Sequence, residues 1–104
     1  VKATEIPPAS REAVHQRDQR CCRFCGRGDL RLELHHIVYR SQERNNHDPG
    51  NLISLCYGCH RRAHTYPNTV RPALQAVVLT PWQTGAAWLR HQGIDLASLS
   101  GGTL

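Results

Sequence analysis

Two Cys-x-x-Cys pairs, Cys22-Arg23-Phe24-Cys25 and Cys56-Tyr57-Gly58-Cys59, constrain this chain more than any other feature. Each pair is a small chelate loop, and together they offer four thiolates to one tetrahedral Zn²⁺. Gly26 and Gly58 relax the backbone around those loops. The pairs are 30 residues apart, further than in the common zinc ribbons, so the interval holds a strand-loop-strand excursion hung from the metal. Four thiolates leave no position for water, which makes such a zinc structural. Its affinity then becomes folding free energy, on the order of 10 kcal/mol. Unpaired buried cysteines would not need the repeated spacing. A redox dithiol is disfavoured because neither pair sits at a strand-to-helix turn of an alternating α/β pattern. Cys21 is the spare thiol; it could replace Cys22, but the two-residue spacing chelates better. Thiols arranged this way imply a reducing, intracellular setting, the cytoplasm.

A chain of 104 residues makes one small domain whose core needs such a staple. The net charge is +5, and of 13 basic residues Lys2 is the only lysine. Arginine forks match phosphate oxygens in a way a lysine point charge cannot, so the balance points to nucleic acid before a membrane. No apolar run approaches the ~20 residues that span a bilayer, and no signal-peptide pattern opens the chain. The expectation is a soluble protein. It opens on Val1 rather than methionine, as a processed or excised chain would.

Pro7 and Pro8 make residues 1–9 an extended lead-in. Ser10 is placed to cap a helix over 11–18, with Glu12 in its first turn. After the first knuckle, period-two spacing sets Leu32, Leu34 and His36 against Glu33 and His35, which predicts a strand. Residues 40–50 are rich in turn formers and predict a long surface loop. Asn51–Leu55 predicts a second strand, and the stretch from Cys56 predicts a helix that ends before Pro67. Beyond it the charge drops. The expectation there is a short strand or irregular segment, a turn at Pro81, a helical stretch near 84–91 and a frayed tail over 98–104. The chain thus divides into a lead-in (1–9), a core (10–66) and a C-terminal extension (67–104) that packs on the core or on a partner. Trp82 and Trp88 belong with that packing rather than with base stacking.

The histidines stand out once the cysteines are assigned. His60 and His64 are four apart on the predicted helix, so they share a face and can chelate one divalent ion. A third ligand from a strand would leave positions open for water and phosphate oxygens, as a hydrolytic metal needs. Neighbouring residues of a strand point to opposite faces. If His35 turns to that ion, His36 must face away, where an imidazole can take a proton at near-neutral pH. His15, His47 and His91 read as solvated side chains.

Taken together, "CRFCG", "LELHHI" and "DPGNLISLCYGCHRRAH", with a helix and an Arg-Asp pair ahead of them, resemble the HNH endonucleases of the ββα-metal class that carry a four-cysteine zinc site. The resemblance covers about residues 11–65. It implies a small α+β fold with a two-stranded hairpin followed by a helix, and a metal-dependent DNA endonuclease that leaves 5′-phosphate and 3′-hydroxyl ends. By the same resemblance His36 matches the general base and His35 the metal ligand before it, often aspartate in relatives. Asn51 matches the middle letter of the motif, which either ligates the ion or braces the loop carrying the base. His60 matches the helix metal ligand, and His64 a further helix histidine that ligates metal or contacts the scissile phosphate. Glu33 aligns with a carboxylate that orients a neighbouring group. The implied catalytic ion is Mg²⁺, Mn²⁺ or another divalent metal, and the partner is duplex DNA met at the minor groove. Arg40, Arg44, Arg61 and Arg62 are the candidate phosphate contacts. The chain departs from relatives at Val38-Tyr39-Arg40, where a proline is common, and lacks their glycine pair in the following loop. A nuclease core this small invites a homodimer or a protein partner. The competing functions are a zinc-stabilised nucleic-acid-binding module without catalysis and a protein-interaction knuckle.

Overall fold

A computed structural model describes residues 5–38, 46–80 and 82–99 of the chain. Helix α1 spans Pro8–Arg17 and starts earlier than expected. Pro7, not Ser10, stands at its N-cap without a side-chain cap bond, and no acidic residue lies in its first turn. Pro8 opens the helix because its missing N–H is one that the first turn leaves unused anyway. Gln19 and Arg20 then adopt left-handed backbone and turn the chain into the knuckle.

Strand β1, Leu32–His36, pairs antiparallel with β2, Leu52–Cys56, in a register that sets Leu32 opposite Cys56 and His36 opposite Leu52. A single 3-10 turn at Pro49–Asn51 leads into β2. Helix α2, Tyr57–Thr65, follows β2 without a gap and packs on both strands, while α1 packs on β2. β2 is therefore buried along its length. In β1 the buried member is His35 rather than Leu32, Leu34 or His36, because α2 covers the face that Glu33 and His35 share. This is the α+β hairpin-and-helix arrangement expected of a ββα-metal fold, with its four cysteines clustered.

The segment after Pro67 is not a strand or irregular. Helix α3 runs over Pro67–Val77, and it buries Val70, Ala73, Leu74 and Val77 at helical spacing. Pro67 sits in its first turn. Pro72 removes one bond to the Asn68 carbonyl, a break of ~3 kcal/mol in an isolated helix, but both residues are exposed and the buried stripe prevails. Helix α4, Gly85–His91, lies in the stretch expected to be helical. Its first turn is bonded to the knuckle: Gly85 N–H donates to Arg23 O (2.7 Å) and Ala86 N–H to Phe24 O (3.0 Å). A Cβ on Gly85 would meet the Phe24 ring at 2.9 Å, so this approach needs glycine. The described part of the tail is not frayed, because Leu99 is buried and its carbonyl accepts from Arg62 Nε (2.8 Å). One apolar cluster joins Phe24 and Ile53 of the hairpin side to Leu74, Val77, Leu89 and Leu99.

A buried ionic hub ties α1 to the knuckle and β2. The fully buried Asp18 carboxylate accepts from Arg17 (2.8 and 3.0 Å), from Arg23 Nη1 (2.9 Å) and from Ser54 N–H (2.8 Å). Arg23 is itself buried, donates on to Val77 O and Gln83 O, and stacks under Trp82 at 4.8 Å. The Asp18 carboxylate is paired with two guanidinium groups and a backbone N–H, which is what lets its charge stay inside. Among the described residues no helix is long and apolar enough to cross a membrane.

Candidate metal centres and catalytic site

Cys22 and Cys25 come from the knuckle, Cys56 from the end of β2 and Cys59 from the first turn of α2. Their sulfur atoms all lie within 4.8 Å of one another, with Cys25 Sγ and Cys56 Sγ 3.9 Å apart. Zn–S bonds of about 2.3 Å around a tetrahedral ion put sulfurs about 3.8 Å apart. The four residues thus fit zinc. Left-handed Gly26 closes the first loop by donating to Cys22 O (2.8 Å). The Cys59 thiol donates to Cys22 and holds it as a thiolate, lowered to about 5, while burial pushes Cys25 up to about 11 and the same bond pushes Cys59 up. Cys21 turns away, toward the Gln19 carbonyl at 3.3 Å, and is not in the cluster.

The second group is His35 on β1 with His60 and His64 on α2. Their ring centroids are 5.0, 5.2 and 4.9 Å apart, and one ligating nitrogen from each lies within 4.8 Å of the others. Strand alternation places Glu33 on the same face as His35, and Glu33 Oε1 meets His60 Nδ1 at 2.9 Å. The carboxylate can only accept. His60 therefore carries its proton on Nδ1 and turns Nε2 outward as the ligating atom, the arrangement that orients metal-binding histidines. Burial, then His60 and His64, lower His35 to about 3, so it stays neutral at pH 7 and keeps a lone pair for a cation. His64 is lowered too, by burial and then His60. Three imidazoles from two rigid elements suit one divalent ion with positions to spare.

His36 points the other way. Its Nε2 lies 3.0 Å from Nδ1 of His47, whose ring centroid is 5.2 Å distant. Asn51 is buried between the two segments: its Oδ1 accepts from Val38 N–H (2.8 Å), and its Nδ2 donates to Val38 O (3.2 Å) and to Asn46 O (3.1 Å). Both polar ends of Asn51 are thus spent on backbone.

Arg62 is not at the surface as a phosphate contact would be. It is buried and bonded to Leu99 O. Arg61 is exposed beside Tyr57, 5.7 Å above its ring. Arg40 and Arg44 lie outside the described residues. Sequence reasoning passed over His47, which a loop of turn formers disguises as a solvated side chain.

Residues 21–65 match the family model described as HNH endonuclease. The match begins at the cysteine knuckle and ends on the last residue of α2, so it contains both clusters. The match points to a nuclease or a nucleic-acid-binding function. No curated protein and no solved structure matches the chain.

Proposed function

We propose that this protein is a metal-dependent DNA endonuclease, with residues 10–66 as its nuclease core and 67–104 as a supporting extension. The observation that carries the reading is the doublet: His35 joins His60 and His64 in one nitrogen cluster, while His36 faces the opposite side. A ligand and a base are thereby delivered from consecutive residues. His36 takes a proton from water, and the water oxygen's electron pair attacks phosphorus in line. The bond from phosphorus to the 3′ oxygen breaks, its electron pair leaves on that oxygen, and solvent protonates it. The ends are 5′-phosphate and 3′-hydroxyl. A divalent ion (Mg²⁺, Mn²⁺ or another divalent transition metal, the last best suited to imidazole ligands) held by His35, His60 and His64 would supply neutralisation of charge on the phosphoryl and leaving oxygens. Glu33 fixes the His60 ring, and Asn51 braces the end of β1 that carries His36. Arg61, on the exposed side of α2, fits a contact to the phosphate backbone of duplex DNA. Zinc in the four-cysteine cluster anchors the knuckle to the start of α2.

The test is plasmid cleavage with Mg²⁺ or Mn²⁺ by the wild-type protein and by His36→Ala. Nicking that disappears in the variant while DNA binding persists is the expected result. Equal activity in both would remove His36 as the base, and binding without cleavage in both would make the protein a nucleic-acid-binding module.

A further inference from the structure

We infer that His47 is a positioning residue for His36: its Nδ1 accepts a hydrogen bond from His36 Nε2–H and so fixes which nitrogen of His36 meets water. The inference rests on the reading of His36 as the base. The contact is 3.0 Å between His36 Nε2 and His47 Nδ1. A neutral imidazole has one N–H and one lone pair. In the inferred arrangement the resting proton of His36 sits on Nε2 and is donated to His47 Nδ1, and the lone pair of His36 Nδ1 takes the proton from water. Removing that acceptor takes away a bond that favours the Nε2–H tautomer, the one that keeps a lone pair on Nδ1 for water.

The segment around His47 is built to present it. Asp48 N–H donates to Asn46 Oδ1 (3.1 Å), Gly50 N–H to Asp48 Oδ1 (2.7 Å) and Asn51 N–H to Asp48 O (2.8 Å). Asn51 Nδ2 then clamps Asn46 O, one residue before His47, while Asn51 Oδ1 holds Val38 N–H, two residues after His36. One buried amide thus ties the backbone on both sides of the histidine pair. The brace carries two imidazoles, not one.

The experiment uses the full zinc-loaded chain and the variants His47→Ala, His47→Asn, His47→Gln and His36→Ala, each checked for zinc content and far-UV dichroism. An asparagine oxygen sits where Nδ1 does, three bonds from Cα, whereas the glutamine oxygen lies one bond further out. Expected are a fall in kcat of about 10- to 100-fold for His47→Ala with KM for plasmid unchanged, a loss typical of an orienting partner. His47→Asn should restore kcat to within a few-fold, and His47→Gln should not. Independently of activity, long-range ¹⁵N–¹H spectra of the imidazoles with Mg²⁺ should show His36 as the Nε2–H tautomer in wild type and in His47→Asn, and mixed tautomers in His47→Ala. An Nδ1–H tautomer in wild type would overturn the inference. So would full activity of His47→Ala beside an inactive His36→Ala, or an Asn variant as impaired as Ala; each leaves the base reading standing. Activity in His36→Ala would remove the base reading and this inference with it.

Discussion

Replacing Asn51 separates bracing from metal ligation most sharply. Its amide makes three hydrogen bonds to backbone, to Val38 N–H, Val38 O and Asn46 O. At about 1 kcal/mol net for each, and with some of the exposed backbone regaining water, Asn51→Ala should cost about 2–3 kcal/mol. Asn51→Asp is the more telling change. It keeps the acceptor for Val38 N–H but puts a carboxylate oxygen where Nδ2 now faces two carbonyl oxygens at 3.1 and 3.2 Å. Two bonds become two repulsions around a buried charge, so at pH 7 the Asp variant should be at least as destabilised as the Ala variant. Burial and the carbonyls would raise the pKa of the new carboxyl above its unfolded value. Its penalty, measured against wild type at the same pH, is then full above the folded pKa and shrinks as pH falls through it, because the protonated carboxyl can donate to one carbonyl. The assay is urea denaturation of both variants at pH 7.5 and pH 5, with plasmid nicking and divalent-ion titration alongside. A pure brace predicts lost stability and lost kcat with metal affinity little changed. An Asp variant as stable as wild type, or one that binds the divalent ion more tightly at the same stability, would refute the bracing argument and return Asn51 to the ligand set.

Other outcomes follow from the same geometry. Asp18→Asn should cost about 3–5 kcal/mol by calorimetry or urea melts, since it leaves buried Arg23 and half-buried Arg17 without their carboxylate. Cys59→Ser should lose zinc by atomic absorption and unfold the knuckle; zinc uptake by the wild type should release protons from Cys25 and Cys59, read as buffer-dependent heats of binding. In protein stripped of the divalent ion but not of zinc, His35 gives stability that is full above its unfolded pKa of ~6.5 and is lost as pH falls toward its folded value, about 2 kcal/mol of it between pH 7.5 and pH 5; a His35→Leu variant should lack that slope. Arg61→Ala should weaken DNA binding and lower the slope of log K against log salt by about 1, whereas Arg62→Ala should leave the slope unchanged and cost about 1–2 kcal/mol of stability from the lost bond to Leu99.

What could be read in the sequence was what depends on short spacing. A two-residue bite brings two sulfurs to one ion, and a four-residue step brings His60 and His64 to one face, whatever the rest of the chain does. The hairpin was legible for the same reason, and strand alternation alone parted His35 from His36. Contacts made across the fold left no such mark. Ser54 meets Asp18 over a separation of 36 residues, and His47 meets His36 over 11, in a stretch of sequence whose turn-forming residues hide any other purpose. Helix α3 was obscured differently: Pro67 and Pro72 argue against a helix locally, while the spacing of Val70, Ala73, Leu74 and Val77 argues for one, and burial decided between them.

Arg62 differs from these, because the sequence did hold the information. Once Cys59 is a zinc ligand, its face of α2 is turned into the fold, and positions three and four further on, Arg62 and Ala63, must follow it inward. They are the buried pair of that helix turn, and the Arg62 guanidinium donates there to the Leu99 carbonyl. The remaining positions sort by the same rotation, with His60 and His64 toward β1 and Tyr57 and Arg61 toward solvent. A single short helix therefore turns Cys59 into the cysteine cluster on one side, presents imidazoles on a second and leaves a cation and an aromatic ring on a third. Rotating α2 by the ~100° of one residue would exchange these three roles, and a zinc ion held by Cys56 and Cys59 would forbid that rotation. On this argument the structural metal sets the geometry of the histidine site, and its removal should abolish divalent-ion binding at His60 and His64 even though no ligand there has been touched.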